Sequence, residues 1–201
     1  LSSSLVGVGL VEEIRSELEK AKTLGKKIFV YFEGYAGLSE YYLASLADVI
    51  IMPPMGSLGQ FGLDFEISKG TKFYEKIGIN KNIVSSGKYK DLTNVFSEDL
   101  MEIDREKFQF LIEDIFQNVK SNIKYSRLDL SDSIEYISDG RIITAKEAQK
   151  LGLVDKLAYW SDVDSLIIDY EDKIDKISIK EFLPIQRSSV YQYFNRIGVI
   201  E

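Results

Sequence analysis

Two short apolar runs constrain the fold of this chain more than any other feature of its sequence. "KIFVYF" (27–32) and "DVIIMPP" (48–54) have the length of β-strands, are rich in β-forming residues and are almost continuously apolar. A run without polar alternation is typical of a strand that is buried on both faces, as in a parallel sheet. The intervening "SEYYLASLA" (39–47) has helical character, so the sequence predicts a β-α-β crossover.

The rest of the chain continues this α/β pattern, which predicts a mostly parallel sheet covered by helices. The longest predicted helix has a wide apolar face, which requires a large partner surface. Thr144 followed by Glu147 forms a capping box at the start of another helix, which Gly152 ends. The predicted elements are a helix before the first run, strands at 62–67, 79–86 and 177–182, helices at 69–78, 102–123 and 161–176, and, within 144–157, the helix that Gly152 ends.

The absence of histidine and cysteine restricts the chemistry that the chain can perform. A Ser-His-Asp triad needs an imidazole base, and structural zinc sites need thiolates or imidazoles, so neither is predicted. Acid–base catalysis would fall to Lys, Asp, Glu or Tyr. The net charge of −7 argues against a nucleic-acid partner. No apolar run reaches the roughly 20 residues of a membrane span, so we expect this chain itself to be soluble.

The stretch "NIVSSGKYKDLTNVF" (82–96) places Lys88 and Lys90 after a predicted buried strand. A solvated lysine is a poor base because its pKa is about 10.4, and burial lowers that pKa by up to about 3–5 units. A lysine at the mouth of a buried strand can therefore act as general base to a serine hydroxyl. The alternative is that both lysines are solvated beside Asp91, and their spacing does not distinguish them.

Two further patterns favour structural roles over ligand binding. The glycines of "PPMGSLGQFG" (53–62) are three residues apart and lack the GxGxxG and Walker spacings, which favours turns or close backbone approach over a phosphate cradle. Asp99, Glu102 and Asp104 lack the spacing of a metal loop and are predicted to form the solvated first turn of the longest helix. No cofactor and no metal are expected.

Three stretches, taken in their order along the chain, carry a family resemblance. They are "GKKIFVYFEGYAGLSEYYLASLADVIIMPPMGSLG" (25–59), "YEKIGINKNIVSSGKYKD" (74–91) and "DGRIITAKEAQKLGLVDKL" (139–157). The first resembles a strand, turn, Tyr-Tyr helix start and A-D-x-I strand of the signal peptide peptidase A (SppA, protease IV) family. The second resembles the lysine segment of that family and the third its closing signature. The resemblance runs from about residue 5 to 165 and implies a ClpP/crotonase-like fold with stacked β-α-β units.

This resemblance implies a peptidase with a serine nucleophile and a lysine general base. It assigns the base to Lys90 and leaves Lys88 as a solvated neighbour. It aligns Leu38 with the serine of single-domain members, with Ser39 one residue away, and Glu40 replaces a glycine of the oxyanion region. Such a pattern resembles the amino-terminal half of the long, two-domain members, whose second half supplies the serine. The chain alone is therefore expected to be inactive.

The resemblance also implies a domain organisation. We expect residues 1–175 to form the amino-terminal peptidase half, without its first strands, and 176–195 to form a linker. The final "RIGVIE" (196–201) resembles the opening strand of a second domain. The chain starts on a glycine-rich loop and stops within this predicted strand, so we expect it to be part of a longer polypeptide.

The implied partners are the second peptidase domain, peptide substrates such as cleaved signal peptides, and further copies in a homo-oligomer. The full-length protein is expected to be membrane-anchored on the extracytoplasmic (periplasmic) face. Two alternatives remain. In the first, the chain is a catalytically inert oligomerisation scaffold and Lys90 is solvated. In the second, it is a crotonase-type acyl-CoA enzyme, and Leu38 and Glu40 argue against this second alternative.

Overall fold

The structure, a computed structural model, describes residues 8–79, 82–87, 89–95, 101–170 and 196–199. The chain divides into a first unit, Leu1–Gly62 with Gln117–Glu201, and a second unit, Leu63–Phe116. The helices are α1 (Val8–Thr23), α2 (Leu38–Ala44), α3 (Thr71–Lys76), α4 (Glu102–Ser126), α5 (Ser131–Ile137), α6 (Ala145–Lys150) and α7 (Val163–Tyr170). The strands are β1 (Ile28–Tyr31), β2 (Tyr35–Ala36), β3 (Val49–Met52), β4 (Ser57–Gly59), β5 (Ile142–Thr144), β6 (Lys156–Leu157) and β7 (Arg196–Val199).

The first unit contains a four-stranded sheet with the order β6-β3-β1-β7. β1 and β3 are parallel, with Phe29 opposite Val49, and β3 and β6 are also parallel. β7 pairs with β1 in the antiparallel direction. Every residue of β1 and β3 is buried, as expected for strands covered on both faces. The predicted β-α-β crossover and the predicted α/β class with a mostly parallel sheet are therefore confirmed.

The core of the first unit explains why these strands are continuously apolar. Successive side chains of a strand point to opposite faces, so each face of the sheet receives alternate residues. One face packs against the segment from β6 to α7. The buried residues of this cluster are Phe29, Tyr31, Val49, Ile51, Ala158, Val163 and Ile167. The alternate residues, Ile28, Val30, Ile50 and Met52, are buried as well.

A three-stranded sheet, β2-β4-β5, brings the backbone close together near Gly56 and Gly59. A Cβ atom on Gly59 would lie 2.4 Å from the carbonyl oxygen of Arg141, and one on Gly56 would lie 2.8 Å from that of Gly34. These distances leave no room for a side chain. The glycines therefore permit close backbone approach, which is the role that their spacing favoured.

Several predicted elements hold with adjusted limits. The helix predicted at 69–78 is the shorter α3, and the one predicted at 102–123 is α4, which extends to Ser126. The Thr144 hydroxyl caps α6 by accepting a hydrogen bond from the N–H of Glu147 at 3.3 Å. α7 lies within the helix predicted at 161–176.

Two predicted strands are wrong. Residues 62–67 form no strand, and neither do the described residues of 79–86. A strand needs both a hydrogen-bonded neighbour and a face to bury. The described residues of the second segment form no buried face, and Val84 is 99% exposed. Apolar composition alone therefore overpredicted strands in the second unit.

Parts of the predicted domain organisation lie outside the described residues. They include the end of the helix predicted at 161–176, the strand predicted at 177–182 and the linker at 176–195. β7 falls within the segment predicted to begin a second domain, and the domain limits stay predictions. Within the described ranges, none of the helices combines the length and the apolar character needed to cross a bilayer.

Candidate functional site

The start of α2 is the region that the resemblance aligned with the nucleophile. Gly37 is the N-cap residue, with extended backbone dihedrals of φ −94° and ψ −168°. The Glu40 carboxylate accepts a hydrogen bond from the Gly37 N–H at 3.2 Å. The first N–H groups of a helix have no partner within the helix, so this contact satisfies a donor that would otherwise need an external acceptor.

Leu38 is the first residue of α2, and its side chain belongs to the core, with 3% of its surface exposed. Ser39, the next residue, is half-buried. Leu38 has no hydroxyl, and its burial is explained by ordinary apolar packing. At this position the chain therefore offers a buried apolar side chain and no nucleophile.

Tyr35 is a hydrogen-bonding group near the start of α2. Its hydroxyl lies 3.1 Å from the carbonyl oxygen of Gly59 and 3.0 Å from Oε1 of Gln60. Burial, together with the negative charge of Glu40, raises the pKa of the Tyr35 hydroxyl above its usual range. The phenol is therefore protonated at neutral pH and acts as a donor rather than as a base.

The other end of α2 is fixed by the buried guanidinium of Arg15 on α1. This group donates hydrogen bonds to the Tyr42 carbonyl (2.6 Å), to Ser45 Oγ (3.0 Å) and to Ser126 Oγ on α4 (2.6 Å). The Tyr42 hydroxyl in turn donates to Glu12 at 2.5 Å. Burial and then this bond raise the pKa of Tyr42 to about 12. Contacts between residues 27 and 30 positions apart thus hold the end of α2 in place.

A second long-range pair joins Arg127 to Asp155, in the stretch resembling the closing signature of the family. The guanidinium donates to both carboxylate oxygens of Asp155, at 2.5 and 3.1 Å. Asp155 also accepts the N–H of Ile50 at 2.7 Å, and the Tyr41 hydroxyl donates to the Leu153 carbonyl at 3.0 Å. The signature therefore fixes β3 and α2, and no local sequence pattern indicates either pairing.

Lys90, the proposed base, lies in a turn of the second unit. Its N–H donates to the carbonyl of Gly87 at 3.1 Å, and its side chain is exposed. Lys88 lies outside the described residues. The chain taken alone thus leaves the Lys90 ammonium in water. Loss of that water was predicted for the complete enzyme, and it stays a prediction.

The part of the chain that the structure describes contains no candidate metal site. No three His, Cys, Asp or Glu side chains there lie close enough together to hold an ion. Of the two positions that the resemblance singled out, Lys90 in the second unit carries an exposed amine, and Leu38 in the first unit carries a buried apolar side chain without a hydroxyl.

Comparison with known sequences places the chain among peptidases. The sequence model of peptidase family S49 matches residues 20–172. A relative from Methanocaldococcus jannaschii is 30% identical over 156 residues, which are 75% of this chain and 50% of the relative. The chloroplastic serine protease SPPA of Arabidopsis thaliana is 29% identical over 65% of this chain and 19% of the relative. Protease 4 of Salmonella typhi is 26% identical over 77% of this chain and 25% of the relative. The chain thus spans half or less of the length of these relatives.

Solved structures that are similar to the chain include two enoyl-CoA hydratases. The one from Thermoplasma volcanium has 17% identity and a TM-score of 0.45, over 84% of this chain and 50% of that chain. The one from Bacillus anthracis has 18% identity and a TM-score of 0.43, over 81% of this chain and 45% of that chain.

Proposed function

Because the chain belongs to peptidase family S49, we propose that it is the lysine-donating half of a serine–lysine endopeptidase. Its fold is of the α/β, ClpP/crotonase-like class, and its curated relatives include proteases and a signal peptide peptidase. The chain spans only part of these relatives, so the activity, substrates and partners of the whole protein are all part of the proposal.

The observation that carries the proposal is the burial of Leu38. This residue aligns with the family serine, yet it packs in the core with 3% of its surface exposed. Lys90, which aligns with the family base, carries an amine on a surface turn. A base without a nucleophile in the same chain is what a divided active site requires, so the hydroxyl would come from the second peptidase domain.

The surface around the Lys90 turn supports a covering partner. Ile77, Ile79, Val84 and Tyr89, which precede Lys90 in the chain, are all exposed. Burying such side chains against another protein surface is favourable. The same contact would remove water from the ammonium, and desolvation lowers the pKa of a lysine towards the range in which it acts as a base. The second domain, within a homo-oligomer, is the proposed cover.

In the mechanism that follows, neutral Lys90 accepts the proton of the serine hydroxyl. The serine oxygen then attacks the peptide carbonyl, and backbone N–H groups near that serine stabilise the oxyanion. The Lys90 ammonium returns its proton to the leaving amine. Lys90, neutral again, takes a proton from the water that hydrolyses the acyl-enzyme, and its ammonium then protonates the serine.

The proposed substrates are extended, largely apolar peptides such as cleaved signal peptides. They follow from the family resemblance and from the name of one relative, a signal peptide peptidase. The proposed location of the full-length protein is the extracytoplasmic face of a membrane, with an anchoring segment outside this chain. Neither proposal requires a cofactor.

The decisive experiment is Lys90→Ala in the full-length protein, assayed with a fluorogenic apolar peptide. We expect kcat to fall by about 10²–10⁴, the usual contribution of a general base. Lys76→Ala, which removes another exposed lysine of the same unit, is the control and should leave kcat unchanged. The isolated 201-residue chain should be inactive. Peptidase activity in that chain, abolished by Ser39→Ala, would place the nucleophile here and contradict the proposal.

A scaffold function is the second candidate, and the exposure of the Lys90 side chain is the observation that favours it. In that case Lys90 stays solvated in the assembled protein. Turnover in the full-length protein would then survive Lys90→Ala, whereas removal of the whole chain would disrupt the oligomer.

A further inference from the structure

Lys107, on α4, contacts the residue that directly precedes the proposed base. Its ammonium nitrogen lies 3.9 Å from the centroid of the Tyr89 ring. The same nitrogen lies 3.7 Å from Oδ1 of Asp104, one helical turn earlier. A hydrogen bond with Tyr89 raises the pKa of Lys107, so its charge is secure at neutral pH. Because all three residues belong to the second unit, these contacts connect α4 with the Lys90 turn.

The buried carboxylate of Asp104 explains why the Lys107 ammonium is held next to the Tyr89 ring. Its side chain is 2% exposed, and its Oδ1 accepts no hydrogen bond from the described residues. A buried carboxylate is costly unless a positive charge lies nearby, and Lys107 supplies one. The prediction of a solvated first turn is therefore wrong for Asp104. Residues 102 and 104 are separated by about 200° around a helix, so they face opposite sides, and Glu102 is the exposed one.

The segment that follows Lys90 is held separately. The ammonium of Lys69 donates hydrogen bonds to the carbonyls of Leu92 (2.6 Å) and Asn94 (3.2 Å). The N–H of Gly70 donates to the carbonyl of Val95 at 2.9 Å. The backbone is thus attached on both sides of Lys90, through Tyr89 before it and through Leu92 to Val95 after it.

We propose that Lys107 is a positioning residue that acts on Lys90 through Tyr89, an inference that rests on the proposed function. A general base must lie within about 2.6–3.2 Å of the proton that it takes, and a displacement of about 1 Å can lower the rate by about 10². A lysine on a surface turn has a long, flexible side chain, so the backbone beneath it must be fixed. The cation held between Asp104 and the Tyr89 ring fixes that backbone.

The test compares Lys107→Met, Lys107→Arg and Arg105→Met in the full-length protein. Methionine keeps the length of the side chain but removes its charge, whereas arginine restores a cation over the ring. Arg105→Met removes a positive charge two residues away, from a side chain that pairs with Glu102, and is the matched control. The readouts are amide hydrogen exchange of residues 87–95, kcat and KM.

For Lys107→Met we expect exchange in 87–95 to accelerate about tenfold, the effect of one lost charge-assisted contact. We expect kcat to fall about 10- to 100-fold with KM changed by less than about threefold. Lys107→Arg should restore both exchange and kcat, and Arg105→Met should change neither.

Unchanged exchange in Lys107→Met would overturn the inference, whatever the activity. So would a loss of kcat that arginine does not restore, because general damage to α4 would then be the cause. If Lys90→Ala retains full turnover, the proposed function fails separately, and the exchange rates still decide whether Lys107 holds the turn.

Discussion

At the scale of single residues, Arg15 stands out because its buried side chain connects three helices, α1, α2 and α4. It lies on α1, a largely exposed helix on which Leu18 is also buried, and its guanidinium binds groups on α2 and α4. The Tyr42 carbonyl and the Ser45 hydroxyl both accept hydrogen bonds from it, and the Ser45 hydroxyl donates in turn to the Tyr42 carbonyl. Removing one partner from a buried polar network leaves the others unsatisfied, and this makes Arg15 a sensitive point.

We expect Arg15→Met to lower the free energy of unfolding by about 3 kcal/mol, because the methionine fills the space but donates no hydrogen bond. Urea unfolding followed by circular dichroism measures this change. Lys20→Met is the control: its side chain is 65% exposed and pairs only with Glu17 in the contacts described, so we expect less than about 0.5 kcal/mol. A loss below about 1 kcal/mol for Arg15→Met would show that α2 does not depend on this guanidinium.

The contact between Asp139 and Arg141 leads us to predict that the stability of the fold decreases at acid pH. Hydrogen bonds from the Arg141 side chain and N–H lower the pKa of this carboxyl from its ordinary 3.8 to about 2. Because the folded-state pKa is depressed, the contribution to stability is present above about pH 4 and is lost as the pH falls towards 2. NMR titration of the carboxyl carbon should give this low pKa in the wild type and a value closer to the ordinary 3.8 in Arg141→Gln, which loses the guanidinium but keeps the backbone N–H. An ordinary value in both proteins would contradict the contact.

At the scale of elements, local sequence signals predicted those elements that are stabilised locally or completely buried. The apolar runs identified β1 and β3, and Thr144 marked the start of α6. The same reasoning failed at 79–86, where the residues that the structure describes have no sheet neighbour to cover them. Pairs such as Arg127 with Asp155 join distant positions, and periodicity contains no information about them.

The close approach of β4 to β5 at Gly59 leads to a testable prediction. We expect Gly59→Ala to destabilise the fold by about 2–3 kcal/mol, because its Cβ would clash with the Arg141 carbonyl and force these strands apart. Gly62→Ala, three residues later, is the control, since a Cβ there meets no atom within 4 Å. Thermal unfolding of both variants measures the difference. Equal melting temperatures would show that the two strands can separate without cost.

At the scale of the whole molecule, the family and the fold class were predictable from motif order, whereas the completed site was not. The motifs lie in the stretches that build the first unit and the Lys90 turn, so their order reports the fold. The position of Lys90 follows from the resemblance. Its proposed desolvation would depend on a surface outside these residues, and no pattern within the chain describes that surface.

The burial of Leu38 and the contact of Glu40 with Gly37 together bear on how such a protein evolves. Serine at position 38 would place a hydroxyl among buried apolar groups, while the Gly37 N–H would remain occupied by the Glu40 carboxylate. In the proposed arrangement, a serine of its own would therefore cost this chain at least two changes, and the first would reduce stability without any catalytic gain.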